Sequence, residues 1–374
     1  MGNTSKKLLV LNPGSTSTKL ALFEGVTQTA KTELRIDEYR YKTPMVLEQF
    51  EDRMASLTEF LEANRIDPAS FDMVVTRGPA LWGLRSGAYA IDEHLIAVLR
   101  HAPRVQHAAS IGSAMAYEFT MKYGIPAIFY DSASSDEAEE ILHYTGIPEL
   151  RRSVTCHTLN TKHVGHQVAL EMGRKYEEST FIIAHMGGGI TVGLHKNGKI
   201  VDTLSDDEGS MSPQRAGRIG TKYMIQLCYS GKYTKDQVMR MTRGKGGLSA
   251  YFGTDNMREI EKMIDEGNTL AKGLYGLMAY QLAQSIGSLA AACCGQVDGI
   301  ILTGGLAYSE RFTEAVSKRV RFIAPVHIVP GEQEMQALAE GAMRVLNGEE
   351  EAKPYRWLPE GVSDYHELLQ GEPI

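Results

Sequence analysis

Twice along this chain an apolar run stops at a turn of small residues and then starts again. That doubled unit limits the folds open to the chain. The first instance is Leu8-Leu9-Val10-Leu11, then Asn12-Pro13-Gly14-Ser15-Thr16-Ser17-Thr18, then Lys19-Leu20-Ala21-Leu22-Phe23. The second is Phe181-Ile182-Ile183-Ala184, then His185-Met186-Gly187-Gly188-Gly189, then residues 190–195, with Asn197-Gly198 turning into residues 199–204. Each apolar run has the length and the bounding residues of a buried strand, and Asn-Gly is a strong hairpin signal. A third apolar run, residues 297–302, ends at Thr303-Gly304-Gly305-Leu306-Ala307. Between these runs lie stretches with helical spacing, so the pattern predicts an α/β chain built from two related halves.

The 374 residues exceed one ordinary core and point to two domains. A net charge of −7 with a pI near 5.9 argues against nucleic acid or an anionic membrane as the main partner. Cys156, Cys228, Cys293 and Cys294 lack metal-ligand spacing and predict small buried residues of a reducing compartment. The N-terminus runs into the first strand without a signal-peptide pattern, and no apolar run approaches a membrane span. A cytoplasmic location is the expectation.

The turn at residues 12–18 offers backbone N–H groups and hydroxyls at one point, an array suited to phosphate oxygens or a hydrated metal. Lys19 adds a positive charge, and Asn12 adds an amide oxygen for a metal-bound water. The same residues also make an ordinary hairpin turn. Residues 44–64 show amphipathic helical spacing. A strand at 73–75 leads into Thr76-Arg77-Gly78, where open α/β sheets place ligand contacts, although loop arginines are common there too. Residues 88–91 predict a short strand and 92–99 a helix. His107 opens a helix at 110–122, and a helix N-terminus suits an anion. A strand at 125–130 delivers Asp131, which fits either a magnesium anchor or a helix cap. Arg151-Arg152-Ser153-Val154-Thr155-Cys156-His157 is expected to begin a helix that runs past Val168. Three successive glycines, Gly187, Gly188 and Gly189, let a backbone approach phosphoryl oxygens closely. Ser212-Pro213-Gln214-Arg215 and Arg218 form a loop suited to an anion. Helices are expected at 222–230, 234–241, 257–266 and 269–294, the last strand at 325–329, and a closing helix at 336–346. The tail, 348–374, predicts an extension packed loosely or on a partner subunit.

Taken together, the three strand–turn sites resemble those of the superfamily of acetate and sugar kinases, heat-shock chaperones and actin. Arg77-Gly78, Asp131, Arg151-Arg152 with His157, Ser212-Pro213-Gln214-Arg215 and Pro330-Gly331-Glu332-Gln333-Glu334-Met335 narrow the resemblance to the acetokinase family, nearest its butyrate and branched-chain fatty-acid kinases. The likeness runs from about residue 7 to residue 347. It implies an α/β fold of two actin-like (ribonuclease H-like) domains with mixed sheets and an interdomain ATP cleft. The first domain is expected at 1–158, on the acceptor and metal side, joined by the helix 335–347. The second is expected at 159–334, on the nucleotide side, with 348–374 as an extension.

The resemblance further implies reversible transfer of the ATP γ-phosphoryl group to a short-chain carboxylate, butyrate or a branched relative, with ATP and Mg²⁺ as cofactors. A homodimer or larger homo-oligomer is implied as well. Position by position, Asn12, Ser15, Ser17 and Lys19 would hold the metal–phosphate assembly, and Asp131 with Glu334 would anchor Mg²⁺ through water. Arg77, His107 and Arg215 would meet the acceptor and the transferring phosphoryl group, and His157 would stabilise that group. His185 with Gly187, Gly188 and Gly189 would border the ATP phosphates. Gly304, Gly305, Ala307, Asn256 and Arg258 would line the adenosine site. Pro79, Leu81 and Trp82 are candidates to face the acyl chain. Acetate and propionate stay open as acceptors, and a non-catalytic ATP-binding module is the alternative of another class.

Overall fold

The computed structural model describes residues 5–14, 17–35, 46–104 and 108–370. The chain divides into two compact units, Met1–Asp136 with Gln333–Ile374, and Glu137–Glu332. Ser15 and His107 lie outside the described residues.

The first unit carries a six-stranded sheet. Its strands are β1 Lys7–Pro13, β2 Ser17–Glu24, β3 Thr27–Arg35, β4 Met73–Arg77, β5 Ala88–Ala90 and β6 Ala127–Tyr130. They lie in the order β3-β2-β1-β4-β6-β5. β1 to β3 form an antiparallel meander, β4 and β6 add parallel to β1, and β5 closes the edge antiparallel. The continuous apolar run of β1 is buried from Leu8 to Leu11 because helices cover the sheet on both faces. The second unit has strands β7 Thr180–Met186, β8 Ile190–Lys196, β9 Lys199–Leu204, β10 Gly299–Gly304 and β11 Val326–Pro330. Their order is β11-β10-β7-β8-β9, again an antiparallel meander with two parallel additions. The expectation of an α/β chain with two actin-like domains and mixed sheets is met: β3-β2-β1-β4-β6 and β9-β8-β7-β10-β11 share one topology.

Several expectations change. β3 was not foreseen, because its residues are mostly exposed and polar and carry no apolar run. The helix expected from Arg151 begins only at Thr158 and runs to Glu171, with His157 as its N-cap residue. Residues 152–156 stay outside it, and the β-branched pair Val154-Thr155 favours that extended course. A short helix, Gly247–Phe252, was missed behind its glycines. Of the four cysteines only Cys156 and Cys293 are buried, whereas Cys228 and Cys294 are exposed. Burial pushes the Cys156 thiol up to about 12, so it stays protonated.

The tail also departs from its expectation of loose or intersubunit packing. Lys353 bridges to Tyr89 of β5, and Tyr355 and Leu368 are buried in the core of the first unit. The helix Glu334–Leu346 belongs to this unit and packs on β1, β4 and β6.

Candidate active site

In the first unit the C-terminal ends of the parallel strands carry several of the candidate residues. β1 delivers Asn12, β4 delivers Arg77, β6 delivers Asp131, and the helix Glu334–Leu346 opens on Glu334. Glu334 joins two of the others. One of its oxygens accepts the Asn12 side-chain amide at 2.7 Å, and the other stands 3.4 Å from the Arg77 guanidinium. Among the described residues that is the ion pair Arg77 makes. Asp131 is buried and sits at φ +41°, a left-handed conformation rare outside glycine. Its carboxylate accepts the Gly87 N–H at 2.7 Å. Gly112 fixes the helix Ala109–Tyr123 against these strand ends, since a Cβ there would lie 2.2 Å from the Thr76 hydroxyl and 2.9 Å from Pro13.

The hydroxyl-rich turn is held from behind by a residue that sequence reasoning passed over. Arg53 lies on the helix Phe50–Ala63 and is 1% exposed. Its guanidinium donates to the Gly14 carbonyl at 2.9 Å, the Ser17 carbonyl at 3.1 Å and the Thr18 hydroxyl at 2.6 Å. The signal was present: Arg53, Leu57 and Leu61 share the i, i+4, i+8 stripe that this helix buries, and a cation on such a stripe needs partners. Ser17 donates its hydroxyl to Glu33 at 2.6 Å. Lys19 is exposed on β2 and pairs in register with Glu33 of β3. Leu81 is fully buried in the core, so its side chain is not free to face an acyl group. Trp82 is half exposed beneath the Arg104 guanidinium, 4.2 Å from the ring centre.

In the second unit two imidazoles stack. The rings of His157 and His185 lie 4.0 Å apart and 9° from parallel. His157 Nδ1 shares a 2.9 Å hydrogen bond with the Thr191 hydroxyl. His185 Nδ1 faces the Asn160 side chain at 3.1 Å, and Asn160 also donates to the Thr303 hydroxyl at 3.2 Å. Thr303 opens the third strand–turn site, whereas Asn160 was not singled out from sequence, because a helix-interior Asn carries no motif of its own.

The glycine turn is covered by the loop that holds Arg215. Its Gly188 carbonyl accepts the Ser212 hydroxyl at 2.6 Å and the Gln214 N–H at 2.9 Å. A Cβ on Gly188 would meet Gln214 at 2.8 Å, and one on Gly189 would meet Asp206 at 3.0 Å. Arg215 donates to Asp206 at 2.7 Å, and Asp206 also pairs with Arg243 at 3.1 Å. Arg152 is committed elsewhere, to Asp202, Glu208 and the Thr203 carbonyl, while Arg151 pairs with Glu140 at the surface. β10 ends on Gly304 at φ +88°, where a Cβ would come within 2.5 Å of the Met186 carbonyl. Gly305 then opens a cavity of about 320 Å³ lined by Asp255, Asn256, Arg258, Glu261, Tyr308 and Ser309 among others. Ala307 is buried beneath it in the core.

Among the described residues no three His, Cys, Asp or Glu side chains converge so as to hold a metal ion by themselves. The oxygen donors at the strand ends, Asp131 and Glu334, nevertheless suit Mg²⁺. That ion keeps several waters and is bound by one or two carboxylates together with substrate phosphates. No helix among the described residues is long and apolar enough to cross a membrane.

Comparison with known proteins agrees with this architecture. The family model described as "Acetokinase family" matches residues 140–332. Butyrate kinase 2 of Clostridium acetobutylicum is 43% identical over 355 residues, covering 94% of this chain and 99% of that protein. The crystal structure of acetate kinase from Porphyromonas gingivalis superposes with a TM-score of 0.76 at 21% identity, covering 91% of this chain and all of that one. A propionate kinase structure from Francisella tularensis gives 0.69 at 17% identity, covering 90% and 98%. At those identities the two structures speak to the fold alone.

Proposed function

Because this chain belongs to the acetokinase family and is therefore a kinase that uses ATP to phosphorylate a short-chain carboxylate, we propose that its acceptor is butyrate or a branched relative of similar length. The observation that carries the chemistry is the pairing of each candidate arginine with a single carboxylate, Arg77 with Glu334 and Arg215 with Asp206. A guanidinium has five N–H donors, so each can also receive an anion. The butyrate assignment is supported by the 43% identity to a butyrate kinase along nearly the whole chain.

A carboxylate is already a nucleophile, so no strong general base is needed. The barrier is electrostatic, because an anion must attack an anionic phosphoryl group in line. On this reading a carboxylate oxygen of the acid forms a bond to the γ-phosphorus. The bond from that phosphorus to the bridging oxygen breaks, and ADP leaves with the electron pair. Arg77 holds the acceptor carboxylate, and Arg215 neutralises charge on the transferring group. His157, whose Nδ1 shares a hydrogen bond with the Thr191 hydroxyl, stabilises the transferring phosphoryl group. Asn12 and Ser17 are the candidate phosphate contacts of the first unit, and His185 with the glycine turn are those of the second. The cavity at Gly305, with Asn256 and Arg258, takes the adenosine. Asp131 and Glu334 would hold Mg²⁺, which would supply positive charge that offsets the charge of the phosphates. A homodimer fits the helix Thr221–Cys228, which buries none of its side chains and leaves Tyr223 and Ile225 exposed.

The test is turnover with ATP and Mg²⁺ across acetate, propionate, butyrate, isobutyrate and isovalerate, with acyl phosphate trapped by hydroxylamine. In an apolar pocket each methylene contributes up to about 0.8 kcal/mol, so a four-carbon enzyme should disfavour acetate, two methylenes shorter, by roughly one decade or more in kcat/KM. Acetate as the best acceptor would overturn the butyrate assignment.

A further inference from the structure

The segment after the helix Glu334–Leu346 carries no motif, yet it grips both backbone stretches that set Asp131. One Glu350 oxygen accepts the Ala88 N–H at 2.8 Å, and the other accepts the Tyr130 hydroxyl at 2.5 Å. Tyr130 immediately precedes Asp131, and Ala88 immediately follows Gly87. Gly87 in turn donates its N–H to the Asp131 carboxylate at 2.7 Å and accepts the Asp131 N–H at 3.3 Å. Arg344 donates to the Tyr130 hydroxyl at 2.8 Å, which leaves the phenol proton for Glu350. Lys353 donates its ammonium to the Ser86 carbonyl at 2.7 Å and hydrogen-bonds β5 on both sides through its backbone.

The contact with the tail is close. A Cβ on Gly87 would lie 2.5 Å from Glu350 Oε1 and 3.2 Å from Lys353 Nζ, and Gly87 itself sits at φ +102°. Asp131 at φ +41° is likewise in a conformation that persists only where the surroundings hold it. Arg344 of the helix Glu334–Leu346 and the neighbouring strands hold Tyr130, and Glu350 touches the segment on each side of the carboxylate.

We propose that Glu350 is a positioning residue: the C-terminal extension, through Glu350 on Ala88 and Tyr130, sets the Asp131 carboxylate for the magnesium of the nucleotide complex. The inference rests on Asp131 being a magnesium anchor. It assigns to a segment outside the family motifs a share in metal binding without any contact to metal or substrate.

The test uses the full-length protein and calorimetric binding of ADP, with Mg²⁺ and again in EDTA, for wild type, Asp131→Asn, Glu350→Ala, Glu350→Gln, Lys353→Ala and the Asp131→Asn/Glu350→Ala double variant. Groups that orient metal ligands typically matter by 10–100-fold, and Glu350 acts one peptide further out, so Glu350→Ala should weaken the magnesium-dependent part of binding about 3–10-fold. Binding in EDTA should not change. Glu350→Gln, which can still bond Ala88 and Tyr130, should recover most of the loss, and the double variant should be no worse than Asp131→Asn alone. Lys353→Ala should shift the same quantity in the same direction by less, and it carries the test if Glu350→Ala does not fold. If Asp131→Asn weakens magnesium-dependent binding while the Glu350 and Lys353 variants do not, positioning is refuted and the role of Asp131 stands. Equal weakening with and without magnesium would make Glu350 merely structural and also refutes the proposal. If Asp131→Asn itself leaves the magnesium dependence intact, the anchor reading fails and the proposal falls with it.

Discussion

Replacing Arg53 by alanine should loosen the turn between β1 and β2 and destabilise the first unit at once. The substitution removes a guanidinium that is 1% exposed and leaves the Thr18 hydroxyl without this donor, whereas the Ser17 carbonyl keeps the Gly14 N–H at 2.7 Å. Thr18 is 1% exposed, so water does not readily replace the lost bond, whereas the more open Gly14 carbonyl can be hydrated. A buried acceptor left unsatisfied costs about 1–3 kcal/mol. One such acceptor, together with the packing lost when a large buried side chain is truncated, gives a loss of about 3 kcal/mol. With a urea slope of about 1–3 kcal/mol per molar, the unfolding midpoint should fall by roughly 1–2 M. Both tryptophans of the chain, Trp82 and Trp357, lie in the first unit, so tryptophan emission follows that unit without interference from the second. Arg53→Lys keeps the charge but lacks the planar fork and should recover about half of the loss. Turnover of the folded alanine variant should show a raised KM for ATP. A urea midpoint and a KM both equal to wild type would refute the idea that Arg53 holds the turn.

Two further outcomes follow from the second unit. Arg215→Ala should fold normally and lose turnover by two to four decades, about 3–5 kcal/mol of barrier, while ADP affinity changes far less, because its charge acts mainly during transfer; near-normal turnover removes it from the mechanism. Gly304→Ala forces a Cβ to within 2.5 Å of the Met186 carbonyl at φ +88° and should cost about 2–5 kcal/mol, read as lower thermal stability by circular dichroism together with weaker ADP binding; unchanged stability would mean that the close approach of β10 to β7 is not needed.

What could be foreseen from the sequence follows a physical divide. Strands β1, β7 and β10 announce themselves because burial on both faces demands unbroken apolar runs, and their ends are marked by residues that only tight backbone turns require. Arg77, Asp131 and Arg215 could be singled out as candidates because each charge stands at a strand end or in a glycine-bounded loop. β3 was not legible, since an edge strand facing water needs no apolar run, and its role lies partly in presenting Glu33 to Ser17. The start of the helix at Thr158 rather than Arg151 escaped because Arg152 is held by Asp202 and Glu208, partners about fifty residues away that no local pattern reveals.

Residues that hold the candidate site residues in place were the hardest to see. Arg53 acts on a turn some forty residues earlier, Asn160 links His185 to Thr303, and Glu350 reaches across more than two hundred residues to Tyr130. In each case the side chain satisfies a polar group that the fold has buried, and the need for it exists only once the chain is folded. A motif records where the phosphate and carboxylate must be met. The supporting residues are set by where burial strands a donor or an acceptor, and the tail's hold on Gly87 and Tyr130 shows that this support can come from a segment with no periodicity of its own.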